Sequence, residues 1–85
     1  MKREVDFKPR DKCIYLEDGG ETKCRVLKKK IEKRGKNRWL VMKFKVIENL
    51  QPSPIAKDPR KGEIFSAEKI IGVSVPFVLW EIEEV

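Results

Sequence analysis

Lys23-Cys24-Arg25-Val26-Leu27-Lys28-Lys29-Lys30-Ile31 runs into Glu32-Lys33-Arg34-Gly35-Lys36-Asn37 and returns as Arg38-Trp39-Leu40-Val41-Met42-Lys43-Phe44-Lys45-Val46. Apolar and charged residues alternate with period two on both arms, and a glycine lies between them, so the segment predicts a β-hairpin. The outgoing arm changes phase. Its inward set is even-numbered up to Val26 and odd-numbered from Leu27 to Ile31. A strand that swaps faces midway needs a bulge or a sharp bend, which is how small barrels turn a corner. Pairing across the turn at Lys33 to Asn37 sets Ile31 against Leu40 and Leu27 against Phe44. One face of the returning arm is then Leu40, Met42, Phe44 and Val46, while Trp39, Val41 and Ile47 hold the other.

Working outward, residues 1–10 read as an N-terminal extension and residues 11–85 as a single domain. Cys13-Ile14-Tyr15-Leu16 is a β-prone run that stops at Asp18-Gly19-Gly20, a hairpin signal. A two-residue Asp18-Gly19 turn sets Ile14 opposite Lys23. A three-residue loop, with Gly20 in the left-handed position, sets Ile14 opposite Cys24 and Leu16 opposite Thr22. The apolar pattern favours the three-residue loop, because a one-residue slip moves every side chain to the other face. Residues 49–62, with Pro52, Pro54 and Pro59, read as an irregular loop. Ile64-Phe65 reads as a short strand, and Ser66 to Gly72 as one helical turn capped by Ser66. Val73 to Val75 and Phe77 to Ile82 are strand-like, with Val78, Trp80 and Ile82 on one face and Trp80 in the core.

The expected fold class is therefore mostly β: a small five-stranded barrel with one short helical turn. Pro9-Arg10-Asp11-Lys12-Cys13-Ile14-Tyr15-Leu16 resembles the opening of SH3-like barrels of the KOW and Tudor kind. In those, a Pro-Gly-Asp-like turn leads into an alternating first strand and a hairpin; Arg10 stands where their glycine would be. The resemblance covers residues 9–48 and implies a recognition module for nucleic acid or peptide. An OB-like barrel is the alternative, with the 66–72 turn between its third and fourth strands.

Eighty-five residues leave little room for an enclosed active site. The chain has no histidine, which removes the commonest general base and most catalytic zinc sites. Ser66-x-x-Lys69 matches a penicillin-recognising pattern by coincidence, since the accompanying motifs are missing. No enzyme activity and no cofactor or metal are expected. Cys13 and Cys24 read as two free thiols on opposite faces, Cys24 buried and Cys13 near the surface, as suits a cytoplasmic protein. The opening residues lack the apolar run of a signal peptide, and no stretch is long enough to span a membrane.

Charge points to the partner. Between Lys23 and Lys45 eleven basic residues face one acid, Glu32, so +10 sits there and the rest of this +6 chain sums to −4. Such a segment implies an anionic partner. The expected function is a non-catalytic nucleic-acid-binding module, with single-stranded DNA or RNA favoured. Lys23, Arg25, Lys28, Lys30, Lys33, Arg34, Lys36 and Arg38 are its candidate phosphate contacts. Tyr15 and Trp39, assigned outward, are its candidate stacking rings. The alternative is a protein-interaction or assembly module: the Pro-containing loop docks a partner, or an exposed β edge pairs with a second copy. In that reading the lysines serve solubility.

Overall fold

A computed structural model of the chain describes residues 3–55, 60–74 and 79–85. Five strands form one antiparallel sheet: β1 (Lys12–Glu17), β2 (Gly20–Arg34), β3 (Asn37–Gln51), β4 (Ile64–Ile71) and β5 (Glu81–Glu84). Their order is β4-β3-β2-β1-β5, so the first four form a meander and the fifth returns to the first. The mostly β class expected from the alternation is what the chain adopts. The sheet is not closed into a barrel.

β2 and β3 are 15 residues each, far longer than the roughly 5–6 of an ordinary strand. This ribbon is bent. The ladder shifts between Val26 and Lys28, leaving Leu27 as the extra residue of a bulge, with further shifts at Ile47 and Leu50. The phase change in the sequence is thus realised as a bulge. Ile31 pairs with Leu40 as expected, but Phe44 pairs with Val26 because the bulge removes Leu27 from the ladder. Before the bulge β1 flanks β2, and along Arg38 to Lys45 β4 flanks β3. The basic hairpin is therefore flanked by β4 along its returning arm.

The core lies against the face made by Cys13, Tyr15, Cys24, Val26, Leu40, Met42, Phe44, Val46 and Ile82, with Trp80 and Phe7 closing it. Tyr15, Phe44, Phe65 and Trp80 form one aromatic cluster; Tyr15 stacks on Trp80 at 5.6 Å and meets Phe65 edge-on at 4.9 Å. Such pairs add about 0.5–1.5 kcal/mol each beyond area burial. A 3-10 turn at Glu4–Asp6 lies over one end of this face. Val5 and Phe7 pack on the core there, the Lys29 ammonium donates to the Val5 carbonyl, and Lys69 pairs with Glu4 at 2.7 Å.

Four expectations are corrected. The first hairpin has a two-residue turn: Asp18 and Gly19 have φ of 50° and 81°, and Cys13 pairs with Cys24. Two successive positive φ values are the mark of the type I′ turn, whose twist matches the strands it joins. Gly20 has a different task. A Cβ there would lie 3.1 Å from the Ser53 Cβ and 3.3 Å from the Gln51 carbonyl, so the missing side chain admits the end of β3. Tyr15 and Cys13 therefore face inward, while Ile14 and Leu16 are half-buried outside. The decisive gain is the aromatic cluster, which buries a larger ring than either aliphatic would supply.

Second, residues 66–71 continue β4, and no helical turn forms. Pairing with β3 from Ile64 to Ile71 supplies the ladder that local propensity missed, and Gly72, at φ 82°, ends it. The OB-like alternative loses the helix on which it rested. Third, β3 runs through Gln51, so the irregular segment starts at Pro52; residues 56–59 of it lie outside the described residues. Fourth, Cys13 is as buried as Cys24, and the two free thiols sit on the same face. Burial pushes both up to about 12. Trp80 and Ile82 share the core as expected; Val78 lies outside the described residues.

The two sheet edges, β4 and β5, differ. The Trp80 indole N–H donates to the Glu68 carbonyl of β4 at 3.1 Å. β5 is four residues long, three of them glutamates. Short, charged or covered edges resist pairing with another chain. Among the described residues, no helix is long and apolar enough to cross a membrane.

Candidate nucleic-acid interface

Residues directly opposite one another in an antiparallel ladder share a face. The pairings therefore define the outer surface rung by rung. Lys12 pairs with Arg25 and Arg25 with Lys45, so three cations lie abreast on β1, β2 and β3. Beyond the bulge, Lys28 pairs with Lys43. The next rungs are Lys30 with Val41 and Glu32 with Trp39; β4 adds Ser66, Glu68 and Ile70 beside Lys43, Val41 and Trp39. Alternation does the positioning, since Phe44 and Val26 turn inward and hold their charged neighbours outward.

Lys12, Arg25, Lys28, Lys43 and Lys45 are all exposed, and among the described residues no ion pair reaches them. Like charges directly opposite on one face repel and weaken the ladder. At the ribbon tip the pattern reverses. Arg34 pairs with Glu32 at 2.8 Å and with Glu68 at 2.9 Å, and Lys30 reaches Glu32 at 3.7 Å. Hydrogen bonds from Arg34 hold the Glu68 and Glu32 carboxyls below the usual carboxylate range and raise Arg34 in turn. The Arg34 guanidinium also lies over the Trp39 ring, 5.2 Å from its centroid.

The expected contacts are thus divided. Arg25, Lys28, Lys30 and Arg34 share the outer face with Trp39. Lys23 is there too, but opposite Glu48 and in a rung that ends on Glu83 of β5. Lys33 and Arg38 pair with each other on the opposite side of the tip, and Lys36 lies in the turn. Tyr15 is withdrawn from the surface altogether: it is 7% exposed, and burial followed by the nearby Glu17 carboxylate raises its hydroxyl pKa. Trp39 is half-buried under Arg34.

Lys12, Lys43 and Lys45 were missed. The triplet Lys43-Phe44-Lys45 carried a usable signal, because a core phenylalanine forces both neighbours outward. Lys12 joins only through strand pairing. Comparison with known proteins supplies no relative: no family model, no curated protein and no solved structure matches the chain.

Proposed function

We propose that this chain is a non-catalytic nucleic-acid-binding module whose contact surface is the outer face of β1, β2 and β3. The observation that carries this reading is the set of cations paired directly across β1, β2 and β3, Lys12–Arg25–Lys45 and Lys28–Lys43, which make no ion pair among the described residues. A surface that tolerates such repulsion is poised to gain from a polyanion, which replaces repulsion with phosphate contacts and releases counterions. The short, glutamate-rich β5 edge speaks against strand addition there.

An SH3-like small barrel is the finer fold that goes with this reading. Its support is the return of β5 to β1 and the Trp80 bridge towards β4. Arg10 adds to it: at φ 80° it occupies the left-handed conformation suited to the glycine of the related turn. A cytoplasmic setting fits two free thiols.

The test is an anisotropy titration with labelled single-stranded DNA, duplex DNA and RNA at two salt concentrations. Contact by all five cations gives micromolar binding to single strands with a log–log salt slope of about −3.5, at roughly 0.7 per phosphate neutralised. Absence of binding at the lower salt, or affinity unchanged by Lys28→Glu with Lys43→Glu, overturns the reading.

A further inference from the structure

On the outer face, where Arg25 and Lys45 sit opposite each other, the turn at residues 61–62 comes alongside β3 and encloses an open cleft of about 490 Å³. Its position is fixed by backbone: the Gly62 N–H donates to the Val46 carbonyl at 2.8 Å, and the Val46 N–H to the Glu63 carbonyl at 2.9 Å. Gly62, at φ 86°, has the conformation that lets the chain turn there. The volume lies within the roughly 300–1,000 Å³ of ligand sites.

The lining has two chemistries. Arg25, Lys45 and Lys61 supply three cations, and none of the described lining residues is acidic. Leu27 and Ile47 supply apolar surface, and both owe their place to ladder irregularities, since each is an extra residue left out of strand pairing. A flat cationic face suffices to hold a phosphate row. A cleft that joins three cations to half-buried aliphatic side chains fits a unit carrying both an anion and an apolar planar body.

We propose that this cleft takes one nucleotide of an unpaired strand, with its phosphate among Arg25, Lys45 and Lys61 and its base against Leu27 and Ile47. This deepens the nucleic-acid reading and rests on it. A duplex offers the same phosphates but keeps its bases stacked and paired, and flipping one out costs unstacking and unpairing. The protein is therefore selective for single strands. Apolar contact with Leu27 and Ile47 involves no base-edge hydrogen bond, so the selectivity tolerates sequence.

The experiment compares three probes by anisotropy at one salt concentration: a 12-nucleotide oligothymidylate, its duplex with oligoadenylate, and an abasic strand of equal length. The intact single strand is expected to bind about tenfold tighter than either of the others, a difference of about 1.4 kcal/mol. Ile47→Ser removes that advantage and leaves abasic-strand affinity unchanged. Lys61→Glu, in an exposed turn, weakens all three, and melting curves show that each variant is folded. Equal affinity for intact and abasic strands, or an advantage that survives Ile47→Ser in a folded variant, overturns this inference alone. Failure of all three probes to bind overturns the functional reading together with it.

Discussion

The β2–β3 ribbon has two charged regions, its tip and its middle, and they are built on opposite electrostatic terms. The tip holds the densest run of basic residues, yet Glu32 and Glu68 neutralise Arg34 there, and Lys33 and Arg38 face away from the outer surface. The middle has fewer cations per residue of sequence, but Lys12, Arg25, Lys45, Lys28 and Lys43 all point one way. What makes a phosphate surface is the number of cations on one face without partners, and linear density does not report it.

The largest effect that tests this contrast is on binding. Reversing Arg25, Lys43 and Lys45 to glutamate is expected to lower affinity for single-stranded DNA by about 100-fold or more, as three phosphate contacts are lost. Reversing Lys33, Lys36 and Arg38 lowers it less than about tenfold, through long-range charge alone. Titrations of the two triple variants at equal salt decide between the regions; a larger loss from the tip set inverts the comparison.

The next effect concerns what lies beneath the middle region. Cys13 and Cys24 are fully buried opposite each other, with thiol pKa values pushed up to about 12, so the folded state keeps protons that the unfolded chain gives up earlier. Stability is therefore complete below the ordinary thiol pKa and falls as pH rises towards 12. Melting temperature measured through that range should fall in the wild type and fall less in Cys24→Ala compared with its own neutral-pH value.

A smaller and more diagnostic effect is a separation of stability from binding. Lys43→Glu turns the Lys28–Lys43 repulsion into attraction, a gain of up to about 1 kcal/mol. For a domain of this size that raises the melting temperature by roughly 4–8 °C. The same variant binds nucleic acid more weakly. A stabilised variant with undiminished binding removes the middle rungs from the interface.

The smallest expected effect is at the tip. Glu32 and Glu68 have depressed pKa values through Arg34, so their contribution is present above the ordinary carboxylate range and is lost as pH falls through the depressed values. Arg34 and Glu68 are exposed and Glu32 is half-exposed, and the change in melting temperature on acidification is slight. Protonation also frees Arg34, so Glu68→Gln should mimic low pH with a few-fold tighter binding, read by the same titration.

Alternation made much of the sheet legible. The inward set from Leu40 to Val46, the Ile31–Leu40 pairing and the corner near Leu27 follow from period and phase. β4 was misread because Ser66-Ala67-Glu68-Lys69 has helical propensity, and only the neighbouring ladder makes it a strand. Tyr15 reads as outward because two registers differ by one residue and the local apolar pattern favours burying Ile14 and Leu16, whereas the core gains more from the Tyr15 ring. The candidate site was legible as charge but not as geometry: Lys12 reaches its rung from another strand, and Lys61 reaches the cleft from another loop.

Sequence alone determined a small, basic, alternating β chain with a bent central ribbon, because these properties reside in composition and in the period of neighbouring residues. Tertiary structure decided which cations stand together, which are neutralised and where a cleft opens. Those outcomes depend on residues far apart in the chain, such as Arg34 paired with Glu68 and Lys61 lining one cleft with Lys45, and local pattern carries no record of them.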